Sequence, residues 1–281
     1  MISVVIATYC GEKFIERQIR SILNQSVPVD QIVISDDCSN DQTIRIVNDV
    51  LRGVTNIDVC VCENEKNLGY IGNFFHGISK ASGDFIFLSD QDDIWESNKV
   101  ERMIQEMKNN DIEVLCSNFS IINENDESLV GAFIIPEFVK KAHQGLNEIR
   151  FLPLLFGNVA QGCTYCFTKR IRDIYLQAQC FDVIHDFQIM LIGAALGKAY
   201  FLNEKLIKYR IHGKNSVGFA QKKSLKHISL IPTLKRPKVA VFLQSVRRNV
   251  FFTGYKRSLI VLFLRLPVIK AMVKRFFLGE L

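Results

Sequence analysis

The chain has 281 residues, of which 48% are apolar and 23% charged. These proportions exclude a disordered chain and predict one large α/β domain with a short appendage. The net charge of +6 conceals an asymmetry, because residues 1–219 carry a net charge of −7 and residues 220–281 a net charge of +13. We therefore expect a domain over residues 1–218 and an electrostatically distinct tail over residues 219–281.

The first hundred residues alternate short β-branched runs with helix-like stretches, which is typical of βαβ units around a mainly parallel sheet. The predicted strands are residues 2–7, 31–35, 57–62 and 84–89. The predicted helices are residues 12–24, 41–51, 70–81 and 98–109.

The pattern weakens beyond residue 109. Apolar runs predict strands near residues 113–117 and 162–168, and a helix near residues 186–196. A pair of strands near residues 198–211 closes the domain. The sequence shows no internal repeat.

Two groups of acidic residues directly follow predicted strands. Asp36 and Asp37 follow the second strand, and Asp90–Asp93 follows the fourth. Because ligands of open α/β sheets bind outside the carboxyl ends of the strands, we expect both groups to face one crevice. A solvated turn or a helix N-cap would explain either group without a ligand, and both alternatives stay open on the residues alone.

The second acidic group suits a divalent cation. Clustered carboxylates repel one another unless a cation is present, and Mg²⁺ or Mn²⁺ held by carboxylates commonly bridges a substrate diphosphate. Asp92 and Asp93 are the predicted metal ligands. A carboxylate after the second strand is placed to bind a ribose or a base. The absence of GxGxxG and GxxxxGK[ST] motifs argues against a dehydrogenase or a P-loop enzyme.

Candidate catalytic residues also lie further along the chain. Asp186 could accept the proton of a hydroxyl nucleophile, or it could only cap the following helix. His212 lies in a polar loop that could close over a diphosphate, whose charge Arg210 and Lys214 would help to neutralise. His185 is interpreted as a partly buried histidine.

These motifs, in this order, resemble family 2 glycosyltransferases of the GT-A fold, and most closely bacterial rhamnosyltransferase-type members. The matching segments are Ser3–Tyr9, Ser35–Asp41, Asn67–Gly69, Leu88–Trp95 with Lys99, Gly162–Thr164 and His185–Asp186. They span residues 2–218. The chain differs from a typical member at Cys10 and Cys38, where Asn and Gly are usual.

The resemblance implies a Rossmann-like, mixed and mainly parallel sheet with flanking helices, a Mn²⁺ or Mg²⁺ cofactor held by Asp92 and Asp93, and Asp186 as the catalytic base. It also implies a set of nucleotide-sugar-binding residues. These are Thr8, Tyr9, Glu12, Asp36, Asp37, Asn67, Gly69, Asn73, Asp90, Gln91, Asp92 and His212.

The function implied is that of an inverting glycosyltransferase of bacterial surface polysaccharide assembly. The donor would be a dTDP- or UDP-linked sugar, for instance rhamnose or another hexose, and the acceptor a glycan or a polyprenyl-linked saccharide. Two alternatives stay open: a sugar-phosphate nucleotidyltransferase, which would need a Gly-rich basic loop after the first strand, and a catalytically inactive, membrane-associated scaffold.

The tail combines its positive charge with apolar residues. Val239, Phe242, Leu243, Val246 and Val250 recur at helical spacing. We expect basic amphipathic helices that lie on an anionic membrane surface and bind no nucleic acid, or, as the alternative, helices that pack on the domain.

The first residues run directly into an apolar strand without a charged leader, so we expect a cytoplasmic protein, peripheral at the inner face of the cell membrane. Several of the eight cysteines lie in strand-like runs and are expected to be reduced. The Cys163–Cys166 spacing has no second half-site and favours a structural role over zinc.

Overall fold

The computed structural model describes residues 1–129, 145–154, 158–213, 242–243 and 245–246. The elements up to residue 109 are β1 (Ile2–Thr8), α1 (Ile15–Leu23), β2 (Gln31–Asp36), α2 (Thr43–Leu51), β3 (Asp58–Glu63), α3 (Gly69–Lys80), β4 (Phe85–Asp90), β5 (Ile94–Trp95) and α4 (Lys99–Asn109). The later elements are β6 (Val114–Ile122), β7 (Leu146–Glu148), α5 (Phe151–Leu154), a 3₁₀ turn (Gly162–Thr164), β8 (Tyr165–Thr168), α6 (Lys169–Ala178), α7 (His185–Leu196) and β9 (Ala199–Arg210).

The strands form one mixed sheet in the order β3-β2-β1-β4-β8-β6-β9-β5, with β7 paired to β9. The four strands from β3 to β4 are parallel, as the sequence predicts. β8 runs antiparallel to both of its neighbours, whereas β6 and β9 are parallel to each other. β8 therefore joins the predicted parallel half to a second group of strands.

Helices cover both faces of the sheet. α3, α6 and α7 pack on one face, and α1, α2 and α4 pack on the other. Strands that are covered on both faces read as continuous apolar runs, which explains why the first strands could be recognised in the sequence. α7 lies inside the molecule, since its residues from His185 to Ala195 are all buried.

The predicted pair of strands near residues 198–211 is wrong. β9 is a single strand of 12 residues. The polar residues Asn203 to Lys205 suggest a break in the sequence, but in the structure the register between β6 and β9 shifts here, with Ser117 opposite Leu202 and Asn118 opposite Lys205. A bulge admits such residues without ending the strand.

Part of the basic tail packs on the domain. Phe242, Leu243 and Val246 are buried in the same core as α7. For this short segment the packing agrees with the alternative to a membrane-surface helix. Val239, Val250, Lys214 and most of the tail lie outside the described residues. Within the described residues, no helix combines the length and apolarity that crossing a bilayer requires.

Candidate active site

The carboxyl ends of β2, β1 and β4 lie side by side. Thr8 pairs with Asp36 on one side of β1, and Ala7 pairs with Asp90 on the other. Because neighbouring strands are about 4.8 Å apart, the two acidic groups lie about 10 Å from each other across β1. The structure thus brings both groups to the same edge of the sheet, and their role in one ligand-binding crevice stays a prediction.

Asp36 shapes the loop that follows β2. Its Oδ1 accepts hydrogen bonds from Thr8 Oγ1 at 2.7 Å and from Ser39 Oγ at 2.6 Å, and its Oδ2 accepts one from the Ser39 N–H at 2.8 Å. Both Thr8 and Asp36 are buried. Their carboxylate and hydroxyl groups therefore hold the wall of the crevice in place.

Asp37 fixes the start of α3. Its carboxylate accepts hydrogen bonds from the backbone N–H groups of Leu68 at 2.7 Å and Gly69 at 2.9 Å, and from Asn64 Nδ2 at 3.0 Å. Asn67 Nδ2 donates to the Asp37 carbonyl at 3.2 Å. The predicted residues Asp37, Asn67 and Gly69 thus form one network at the crevice.

Gln91 ties the loop after β4 to the loop after β1. It accepts a hydrogen bond from the Tyr9 N–H at 2.8 Å and donates one to the Tyr9 carbonyl at 3.0 Å. A Cβ at Gly11 would lie 2.2 Å from Gln91 Oε1, so a larger residue here would displace the Gln91 side chain. The Tyr9 side chain remains 53% exposed.

Two further predicted residues also bind the backbone. Buried Asn73 donates to the Thr8 carbonyl at 3.2 Å, and Glu12 accepts from the Gln42 N–H at 2.9 Å. Each of these side chains therefore has a hydrogen-bonding partner within the protein. Both support the loops that border the crevice.

Cys10 and Cys38 have left-handed backbones, with φ values of 47° and 63°. Residues with a Cβ rarely adopt this conformation, whereas Gly and Asn accept it readily. The two loops therefore keep the conformation that Asn and Gly favour at these positions.

Replacing Cys38 by Gly should stabilise the protein. Relief of the left-handed conformation gains about 1 kcal/mol, and the greater freedom of Gly in the unfolded chain offsets about half of that. Cys62→Gly, in extended β3, is the matched control and should be destabilising. Urea unfolding measures the change in the free energy of unfolding for both variants. Changes of the same sign would contradict this explanation.

A buried cluster lies beneath the crevice. Ligand atoms of Asp90, Asp93 and Cys163 lie within 4.8 Å of one another. Burial, followed by the charge of Asp92, raises the pKa of Asp90 to about 7, and the same causes hold the pKa of Asp93 well above its usual range. Asp93 and Cys163 are almost inaccessible to solvent. Asp90 is the partly exposed member of the cluster.

Lys99 is fully buried beside this cluster. Its Nζ donates to the Cys163 carbonyl at 2.9 Å and lies 3.7 Å from the centroid of the Trp95 ring. The sequence pointed to Lys99 only as part of the family resemblance and to Cys163 only as a structural residue, and it did not predict that both lie beside the acidic cluster.

Asp92 and His212 form an accessible pair at the mouth of the crevice. Asp92 Oδ2 lies 2.7 Å from His212 Nε2, and the side chains are 15% and 11% exposed. A carboxylate and an imidazole are suitable ligands for Mn²⁺, and this pair fits a cation that contacts a substrate. Asp93, in contrast, accepts a hydrogen bond from the Arg210 N–H at 3.0 Å. The structure thus separates the two predicted metal ligands, and the metal site stays a prediction.

Arg210 supports the backbone beside the Asp92 and His212 pair. Its side chain is fully buried and donates to the Asp92 carbonyl at 2.6 Å and to the Asn123 carbonyl at 2.8 Å. It also pairs with Asp126 at 2.5 Å, and Asp126 in turn binds Arg17 at 2.8 Å. The turn after β6 therefore supports the residues that lead to His212.

Asp126→Asn should weaken this support. Removing one charge from a pair with a buried partner destabilises strongly, and the partial exposure of Asp126 reduces the expected loss to about 1–3 kcal/mol. Arg17→Gln is the control, because it removes only the exposed half of the network and should cost under about 1 kcal/mol. If Asp126→Asn and Arg17→Gln lost the same stability in thermal unfolding, the supporting role of Arg210 would be contradicted.

Asp186 lies in the first turn of α7 and is 4% exposed. Burial raises its pKa to about 7, although hydrogen bonds from the Phe187 N–H, Asn158 and the Gly162 N–H favour the charged form. The turn that begins with Gly162 continues to Cys163, so one short segment contacts both Asp186 and the buried cluster. The charge of Asp186 also contributes to the raised pKa of Asp90, so Asp186 lies near the carboxyl end of β4.

Gly162 permits this arrangement. A Cβ here would lie 2.9 Å from His185 Nε2 and 3.4 Å from the Asp186 Cβ. His185 itself is 3% exposed and stacks on Phe74 at a centroid distance of 4.1 Å. Burial lowers its pKa to about 3, so it stays neutral, in agreement with the interpretation of a buried histidine.

The sheet order and the carboxylates at its strand ends define the GT-A class of α/β folds. TarS residues 1–349 from S. aureus, solved in complex with UDP-GlcNAc, are similar in structure, with a TM-score of 0.66 and 18% identity over 94% of this chain and 71% of that one. The predicted fold class is confirmed.

The chain belongs to glycosyl transferase family 2, whose model matches residues 3–165. It is 33% identical over 137 residues to the Escherichia coli UDP-Glc:alpha-D-GlcNAc-diphosphoundecaprenol beta-1,3-glucosyltransferase WfgD, a match that covers 49% of this chain and 52% of that protein. It is 27% identical over 227 residues to the Shigella flexneri dTDP-rhamnosyl transferase RfbG, covering 76% and 73%. The chain thus spans about half the length of WfgD.

Proposed function

We propose that this chain transfers a sugar from a nucleoside-diphosphate donor to an acceptor hydroxyl, with inversion at the anomeric carbon. The observation that supports the proposal is that Asp186 and Asp92 both lie near Asp90 at the carboxyl end of β4, beside the loops that Asp36 and Asp37 shape. WfgD and RfbG support the reaction class and the use of UDP- or dTDP-linked donors.

In the proposed reaction the acceptor oxygen attacks the anomeric carbon while Asp186 takes the hydroxyl proton. One C–O bond forms and the bond to the diphosphate breaks, so the nucleoside diphosphate leaves without a covalent enzyme intermediate. The raised pKa of Asp186 suits a base that works near neutral pH. Arg210 keeps Asp92 and His212 oriented towards the departing group.

Asp92 and His212 would hold Mn²⁺ or Mg²⁺. The bound ion supplies charge neutralisation for the diphosphate. Buried Asp93 serves instead to anchor β9 through the Arg210 N–H.

The test is a panel of dTDP-, UDP- and GDP-sugars with Mn²⁺, assayed both for donor hydrolysis and for protection against heat. A donor should raise the melting temperature because it binds only the folded protein. A glycosyltransferase releases the nucleoside diphosphate, whereas a nucleotidyltransferase uses a nucleoside triphosphate and releases pyrophosphate. An inactive scaffold would release neither product.

We also propose that the acceptor is presented at the inner face of the cell membrane. The acceptor named for WfgD, a diphosphoundecaprenol, and the net charge of +13 on residues 220–281 support this location. Deletion of residues 247–281, which keeps the packed Phe242 and Val246, should release the protein from anionic vesicles. Unchanged vesicle binding by the shortened chain would refute the location.

A further inference from the structure

A groove with a volume of about 730 Å³ runs along one side of α3. The loop between β3 and α3 forms one wall, and Phe181, from the segment that leads to α7, forms part of the other. Small-molecule sites commonly have volumes of this size. The groove adjoins Asp37, and its lining includes Gly69, one of the predicted nucleotide-sugar-binding residues.

Exposed apolar side chains converge on this groove. Leu68, Tyr70 and Phe181 are 41%, 44% and 54% exposed, and they make up half of the six large apolar side chains that are exposed among the described residues. A concentration of exposed apolar surface on one patch is typical of binding sites. The two aromatic rings are thus available to a ligand.

Polar side chains accompany the rings. Glu65 and Ser79 also line the groove, and His76 Nδ1 lies 2.5 Å from Asn64 Oδ1. A hydrocarbon chain would bury such groups against carbon, which costs free energy. A pyranose ring presents both a C–H face for an aromatic ring and hydroxyls for the polar groups. The lining therefore fits a saccharide better than a lipid chain.

Direct contacts connect the groove to the proposed catalytic base. Phe75 packs edge-on against Phe181 at a centroid distance of 4.9 Å. The next residue back, Phe74, stacks on His185, which immediately precedes Asp186. Burial and, second, the charge of Asp186 raise the pKa of Tyr70, which agrees with this proximity.

The other end of the groove reaches the proposed donor loops. Asn64, in the groove wall, donates to the Asp37 carboxylate at 3.0 Å. The groove wall therefore adjoins the Asp37 network at the end of β2. A ligand in it would lie beside the donor rather than in its place.

We propose that this groove binds the saccharide end of the acceptor, with Tyr70 and Phe181 stacking on its sugar rings. This inference rests on the proposed glycosyl transfer and names the class of molecule that would bind beside the donor. Both residues are binding residues and take no part in the proton transfer.

The test uses Tyr70→Ala and Phe181→Ala, and both side chains are exposed enough for their truncation to leave the fold intact. The probes are octyl glycosides, beginning with octyl N-acetyl-α-D-glucosaminide, with octyl sulfate as a probe that has the chain but no sugar. Saturation-transfer NMR measures binding without any turnover. Donor hydrolysis in Mn²⁺ is measured separately.

We expect each variant to bind the glycoside about tenfold more weakly and to hydrolyse the donor within twofold of the wild-type rate. Leu129→Ala, which truncates an apolar side chain that is 43% exposed and does not line the groove, should change neither value. Equal binding of octyl sulfate, absence of a signal from every glycoside, or unchanged binding by both variants would overturn the inference. Absence of donor hydrolysis in the wild type would instead overturn the proposed function and leave glycoside binding measurable.

Discussion

Asp186→Asn should reduce sugar transfer by about 10²–10⁴-fold, the usual contribution of a general base, while the fold is retained. The amide keeps the shape of the side chain but cannot take the acceptor proton. Asp182→Asn, in the exposed segment just before α7, is the matched control and should retain near wild-type transfer. Ordinary turnover by Asp186→Asn would eliminate this residue as the base.

The pH profile gives a second measure of the same residue. Because burial raises the pKa of Asp186 to about 7, transfer should increase as the pH rises through 7 and the carboxylate loses its proton. The unfolded carboxyl has a pKa of about 3.9. Between about pH 4 and 7 the carboxyl is therefore ionised in the unfolded chain but keeps its proton in the folded protein, so the stability of the wild type falls as the pH rises. The stability of Asp186→Asn relative to the wild type should therefore increase over that interval. Urea unfolding at pH 4 and pH 8 measures this difference.

Asp92→Ala should lower Mn²⁺-dependent donor cleavage by about 100-fold or more, because the loss of a ligand removes several kcal/mol of charge stabilisation at the leaving group. Electron paramagnetic resonance of Mn²⁺ measures the loss of metal binding without turnover. The same spectra from His212→Ala test the second proposed ligand.

The control for Asp92 is Asp111→Asn, at a carboxylate that is 86% exposed and pairs with Lys198 on the surface. It should leave Mn²⁺ binding unchanged. If Asp93→Asn abolished Mn²⁺ binding while Asp92→Ala retained it, the metal would belong to the buried cluster and the assignment to the accessible pair would be incorrect.

The parallel half of the sheet was predictable because β1, β2 and β4 are buried on both faces and the strands alternate with helices that have one apolar face. The acids at the strand ends were predictable for the same reason, since the end of an apolar run marks the edge of the sheet. Asp36 and Asp90 could therefore be placed together from spacing alone.

The second half depends on contacts that spacing does not record. Cys163 lies close to Asp90 because β8 runs antiparallel beside β4. No local sequence pattern predicts this strand direction. Helix α6 was missed although Ile171, Ile174 and Tyr175 recur at helical spacing, because its basic first turn is unfavourable at a helix N-terminus. The different roles of Asp92 and Asp93 were not predictable either. They depend on the hydrogen bond from the Arg210 N–H to Asp93, which the sequence does not show.

The position of β9 has a consequence for synthesis of the chain. β9 lies between β6 and β5 and also pairs with β7, so among the described strands β5 and β7 pair only with residues 199–210, and β6 obtains its second partner there. On the ribosome, β5, β6 and β7 must wait with an open edge until this last strand emerges from the exit tunnel. Open edges of this kind are prone to aggregation. A pause in translation before β9 has left the exit tunnel would therefore lower the yield of native protein more than a pause after it has emerged.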